Sequence, residues 1–171
     1  LKKSETIISK VTALVAQIIT IDSPKYPVLL SQIPDAPHVI YVKGTIPTNI
    51  DRSITVMGTQ KCTEDAAAKA GEIASCLSRL GGPLVSGPAL GIDSASHRAS
   101  LAYGAPTVAV LAQGLDRTHP KSHEKLALLL LENGGAWISK HPPGMEVLPW
   151  MFASRNRILS GLCLFIAFYA G

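Results

Sequence analysis

A chain of 171 residues, 47% hydrophobic and 16% charged, is long enough to bury one sizeable core and too apolar for a disordered segment. Sixteen Lys and Arg against twelve Asp and Glu leave a formal charge of +4, a mild lean towards a polyanionic partner, while an aromatic content of 5% argues against a surface built mainly on stacked rings. Cys62, Cys76 and Cys163 are odd in number and lack C-x-x-C spacing, which fits a reduced cytoplasmic setting better than a disulfide framework.

Residues 1–50 read as an N-terminal extension packed on a core. Ile7, Ile8, Val11, Leu14, Val15, Ile18 and Ile19 recur at helical spacing and predict an amphipathic helix. Lys10 and Gln17 interrupt that run and no small-residue cleavage site follows, so a packed element is expected rather than a secretory leader. Ser23-Pro24-Lys25-Tyr26-Pro27 ends any helix. Val28–Ile33 fits one helical turn, and Val39–Val42 a short strand closed by Lys43-Gly44.

Residues 51–171 read as the main domain. Ile54–Gly58 is a buried strand closed by glycine; Thr63 or Asp65 caps the helix after it, whose Ala66, Ala70, Ile73, Ala74, Leu77 and Leu80 share one face. Leu84-Val85-Ser86 is a second strand, Gly87 and Gly91 its turn, and Asp93 or Ser94 the predicted cap of the next helix. Thr107–Ala112 is a third strand, followed by Gly114 and a loop holding Lys121. Ser122–Asn133 is a Leu-rich helix and Ala136–Ser139 a fourth strand. A short helix over Ser154–Gly161 then leads into a fifth, buried parallel strand over Cys163–Phe168, too short an apolar run to span a membrane. Continuous apolar strands alternating with helices predict an α/β, three-layer, Rossmann-like domain with a mainly parallel sheet. Ligands then belong at the carboxyl ends of the strands, where Gly58, Gly87 and Gly114 are expected to converge.

A helix N-terminus beside a glycine turn offers free N–H groups to an anion such as a phosphate. Gly58, Thr59, Gln60 and Lys61 with Ser86, Gly87, Gly91, Asp93 and His97 are therefore candidate phosphate contacts, His97 as a residue that hydrogen-bonds across the loops. Gly114 and Lys121 join them from the third strand. Arg155-Asn156-Arg157 is the one dense polar cluster, at the start of a predicted helix, its two arginines projecting differently to suit phosphate contact and an internal hydrogen bond. G-x-G, the G-x-x-x-x-G-K-[ST] loop and a G-x-S-x-G elbow are all absent. Ser86, Asp93 and His97 match no local nucleophile signature, and Pro120 between His119 and His123 argues against a metal pair on one helical face. No catalytic residue, metal or cofactor is assigned.

The run Ser86-Gly87-x-Ala89-x-Gly91-Ile92-Asp93-x-Ala95-x-His97-Arg98, followed by Gly114-Leu115-Asp116, Pro142-Pro143-Gly144 and Arg155-Asn156-Arg157-Ile158, resembles the DNA-processing protein A family (DprA, also called Smf). Tyr26-Pro27, Pro37 through Gly44 and Val56-Met57-Gly58-Thr59 extend the resemblance over nearly the whole chain. It implies a non-enzymatic protein that binds and protects single-stranded DNA, loads the RecA recombinase and acts in natural transformation and recombination, usually as a homodimer and away from membranes. The family's basic pair matches here at Lys121, whereas Gln60 stands where the family has Arg, with Lys61 one position on. The family's S-E-[YF]-P reads Ser139-Lys140-His141-Pro142, and its V-E-A reads Phe168-Tyr169-Ala170. Family members continue past the position of Gly171, so we read the chain as diverged and C-terminally truncated, with an apolar sheet edge. Two other readings stand beside this one. A nucleotide-binding or phosphoribohydrolase-like enzyme on a related fold would require a P-G-G-x-G-T loop, which is absent; a diverged module would have lost its DNA affinity.

Overall fold

The computed structural model describes residues 2–118, 121–145 and 147–169, with the backbone alone of Lys121. In order the elements are α1 (Lys2–Ala13), β1 (Ala16–Thr20), α2 (Val28–Ser31), β2 (Val39–Gly44), β3 (Ile54–Gly58), α3 (Glu64–Arg79), β4 (Leu84–Ser86), α4 (Ile92–Ala102), β5 (Thr107–Val110), α5 (Glu124–Glu132), β6 (Ala136–Ser139), α6 (Pro149–Leu162) and β7 (Phe165–Tyr169). The seven strands form one sheet in the order β1-β2-β6-β5-β4-β3-β7. Strands β3 to β7 are mutually parallel, and β2 runs antiparallel to both β1 and β6.

The runs β4, β5 and β6 are buried throughout and mostly apolar because both of their faces are covered. Val108, Val110 and Ile138 face a core shared with Leu30 of α2 and Ile158, Leu159 and Leu162 of α6. Ala109, Leu111 and Trp137 face the opposite way, onto Val11 of α1 and Ala127 and Leu130 of α5. Farther along that second face, Ala70, Ala74 and Leu77 of α3 pack with Val56, Leu84 and Ile92. The result is a three-layer α/β sandwich of Rossmann-like type. With right-handed crossovers the march from β3 to β6 places α3, α4 and α5 on one face, and the return to β7 places α6 on the other. Connections leaving β5 and β6 therefore part to opposite faces.

Buried hydroxyls tie the last turn of α6 to the sheet. Ser53 donates to the Leu162 carbonyl at 2.9 Å and Thr55 to that of Leu159 at 3.0 Å, giving partners to carbonyls that a helix end leaves free. Thr55→Val keeps the shape and removes the donor, and is expected to destabilise the chain by about 1–2 kcal/mol in urea unfolding. An unchanged midpoint would show that the carbonyl needs no donor.

Several local expectations are corrected. Ile18 and Ile19 do not extend the first helix: Val15 turns the chain at φ 53°, and both pair in β1 with Tyr41 and Ile40. Gaining a ladder on the sheet edge outweighs a helical periodicity that short apolar runs share with strands. Gly91 at φ +75°, not Asp93 or Ser94, is the N-cap of α4, and Ser94 turns its hydroxyl back to the Gly91 carbonyl. Helix α6 starts at Pro149, a residue suited to the first helical turn, so Arg155-Asn156-Arg157 is mid-helix and has no free N–H groups beside it. Strand β7 is parallel, as expected, but not buried: it is an edge strand with Phe165 and Phe168 exposed. Among the described residues no helix is long and apolar enough to cross a membrane.

Candidate functional site

The loops leaving β3 and β4 lock together through glycine. A methyl group on Gly91 would collide with the Thr59 carbonyl and lie 2.6 Å from that of Gln60. On Gly87 it would collide with Arg155 Nη1 and lie 2.5 Å from Asp93 Oδ2. These glycines therefore admit the protein's own atoms. Gly114 packs on the β6 loop, against the Pro142 carbonyl, and 2.8 Å would separate its methyl from Asp116 Oδ1.

Beneath the loops lies a buried polar cluster. Arg155, 8% exposed, reaches from α6 to donate Nη1 to the Val110 carbonyl at 2.9 Å, at the end of β5. Burial pushes its pKa down, and the Asp93 charge opposes that. Asp93 is pushed up to about 6, by burial first, with the Arg155 charge and the Gly58 and Ala89 N–H groups acting the other way. Burial drives His97 down to about 4, so it is neutral at pH 7. Its Nε2 lies 3.0 Å from the Gly87 carbonyl, an acceptor only, which places the ring proton on Nε2. Nδ1 then accepts from Thr107 at 2.7 Å, a hydroxyl that also lies 3.1 Å from the Leu84 carbonyl. Ser86 donates to the Val56 carbonyl. Ser86, Asp93, His97 and Arg155 are thus turned inward, whereas Gln60, Lys61 and Asn156 are exposed. Arg157 is half-exposed and ion-paired with Asp35. Lys121 opens a 3-10 turn over Lys121–His123, and its side chain, like His119 and Pro120, lies outside the described residues.

The β5 and β6 loops are latched separately. Ser139 donates to the Gln113 carbonyl at 2.6 Å, and Asp116 accepts from the Gly144 N–H at 2.8 Å while pairing with Arg117 at 3.0 Å. Lys140 donates to the Ser154 hydroxyl across the loop. Lys10 of α1 lays its ammonium against Gly144.

Five buried side-chain atoms among the described residues lack a hydrogen-bond partner in the protein: Thr59 Oγ1, Asp93 Oδ1, His123 Nδ1, His141 Nε2 and Arg155 Nε. All belong to the loops and helices at the carboxyl edge of the sheet. Folded proteins leave few such atoms, and these five gather at one end of the sheet. The described residues hold no group of three or more His, Cys, Asp or Glu poised for a metal.

The family described as DNA recombination-mediator protein A matches residues 17–167. The chain belongs to that family. It is 36% identical over 138 residues to the DNA processing protein DprA of Streptococcus pneumoniae, covering 81% of this chain and 48% of that protein. To the protein Smf of Borreliella burgdorferi it is 34% identical over 147 residues, covering 86% and 47%. The crystal structure of the pneumococcal DNA processing protein A superposes with a TM-score of 0.80 at 32% identity, over 89% of this chain and 53% of that one. A Helicobacter pylori DNA processing protein A, solved for its single-stranded DNA binding mode, shares the fold with a TM-score of 0.77 at 23% identity, over 90% and 70%. The chain spans about half the length of the curated relatives it matches.

Proposed function

We propose that the carboxyl edge of the sheet binds single-stranded DNA through its phosphates, without enzymatic chemistry. The chain would serve DNA uptake and recombination in the cytoplasm by protecting single strands and passing them to the RecA recombinase, as a homodimer. The observation that carries this reading is that Gln60 and Lys61 stand exposed on the β3 loop, whose backbone packs on Gly91 at the carboxyl edge. The single-stranded DNA bound by the Helicobacter relative supports it. Contact falls to Lys61, Lys121, Gln60, Asn156 and the backbone of the β3 and β4 loops. Ser86, Asp93, His97 and Arg155 hold those loops from beneath.

Anisotropy of labelled oligothymidylate is expected to show affinity falling steeply between about 50 and about 200 mM salt. Lys61→Ala is expected to lower the salt slope by about 1. Gln60→Arg, which restores a forked donor, is expected to raise it by a similar amount. Absence of binding, or binding indifferent to salt, would overturn the proposal. The RecA step is read separately, as a shorter lag in RecA loading on protein-coated single strands; an unchanged lag removes that step alone.

A further inference from the structure

We infer a second contact at the far end of the same edge: Trp150 stacks on an unpaired nucleobase while the Lys140 ammonium takes the adjoining phosphate. This rests on the single-stranded DNA reading and adds a base-binding subsite to it.

Trp150 is 53% exposed although it stands in the first turn of α6 and is not loosely held. The buried His141 ring meets it edge-on, with centroids 5.7 Å apart and planes at 79°. The indole is thereby oriented while much of it stays open to solvent. A large ring fixed in this way presents a stacking surface at little conformational cost. Trp150 and Ser154 are four residues apart on one helix and so share a face, roughly 5–6 Å between Cβ atoms. Ser154 is the residue that holds Lys140 Nζ. The ammonium is therefore stationed one turn from the indole by a neutral hydroxyl, and among the described residues no carboxylate pairs with it.

The place is also where the fold favours a ligand. The connection from β5 leads to α5 on one face and that from β6 to α6 on the other, and ligands of open α/β sheets sit outside the carboxyl ends at such a parting. Lys10 adds a second ammonium against Gly144 on the same loop. The nearby Asp116 carboxylate is taken by the Gly144 N–H and Arg117. Strands β3 and β6 are three spacings apart, about 14 Å, so a strand held at Lys61 reaches Lys140 by crossing the edge. One ring serving one base is compatible with a chain poor in aromatics. The other tryptophan, Trp137, is buried with Nε1 bonded to the Ala127 carbonyl, so a change in tryptophan emission on binding reports Trp150.

The test uses the whole 171-residue chain, labelled oligothymidylate, and an abasic oligomer of equal length. Trp150→Ala is expected to weaken oligothymidylate binding about tenfold with the salt slope unchanged. Trp150→Phe restores most of that loss, and the abasic oligomer binds parent and Trp150→Ala alike. Lys140→Ala is expected to lower the slope by about 1 on both oligomers. Tryptophan emission is expected to be quenched by oligothymidylate and not by the abasic strand. If the parent binds and Trp150→Ala binds equally well, or loses both oligomers equally, the stacking subsite is overturned while the phosphate reading stands. Loss of self-association in sedimentation, with DNA affinity intact, overturns it in favour of a protein contact. A parent that binds neither oligomer overturns both proposals.

Discussion

Replacing Arg155 by alanine is expected to destabilise the fold by about 3–5 kcal/mol, seen as a lower urea midpoint with an unchanged slope. The guanidinium is buried, its Nη1 bonded to the Val110 carbonyl, and its charge acts on Asp93 across the Gly87 backbone. Removing it orphans the carbonyl, leaves the Asp93 carboxylate without its compensating charge and empties the space that Gly87 keeps open. Lysine is a poor replacement because a single ammonium lacks the planar fork, so Arg155→Lys is expected to recover less than half the loss. In the double variant with Asp93→Asn the loss from Arg155→Ala is expected to shrink, since the uncompensated charge has gone. A midpoint within about 0.5 kcal/mol of the parent would show that Arg155 is not structural and return it to the ligand contacts.

The second large effect is hidden in the parent and appears when one partner is removed. Asp93 has a folded pKa of about 6, above its ordinary 3.8, so its contribution is fully present below pH 3.8 and is lost as pH rises through about 6. His97 has a folded pKa of about 4, below its ordinary 6.5, so its contribution is fully present above pH 6.5 and is lost as pH falls through about 4. Across the interval between pH 4 and 6 the folded chain holds an extra proton on Asp93 and lacks one on His97, and the two slopes oppose each other. Asp93→Asn removes the first, so its stability is expected to fall relative to the parent by about 3 kcal/mol on acidification from pH 6.5 to 4. His97→Gln removes the second, and its stability is expected to fall by a similar amount as pH rises from 4 to 6. The readout is the slope of unfolding free energy against pH, so a constant loss from the substitution itself does not enter. Parallel slopes in all three proteins would sink the assignment of these two groups.

The side chains that define the family motif are mostly internal: Ser86, Asp93, His97 and Arg155 fasten the carboxyl ends of β3, β4 and β5 to one another. Under the proposed function, what meets DNA is then carried by exposed residues beside them, which explains how Gln60 and Lys140 can differ from the family pattern while the motif beneath stays intact.

The alternation of strand and helix, the parallel core and the glycine-closed strand ends were legible along the chain, because burial on both faces demands mostly apolar runs and those demands are local. It also carried the family motif, whose residues are close together in the chain. That Ile18 and Ile19 pair in a sheet, and that Gly114 packs on the Pro142 carbonyl, was set by the fold. The fold likewise decided that Arg155 points into the protein. Each of these outcomes depends on a partner far along the chain: β2 for the isoleucines, the Pro142 carbonyl for Gly114, the Val110 carbonyl for Arg155. Spacing along a chain tells which residues share a face, but not which distant backbone group waits opposite, and that is what turned a predicted phosphate ligand into a buried tie.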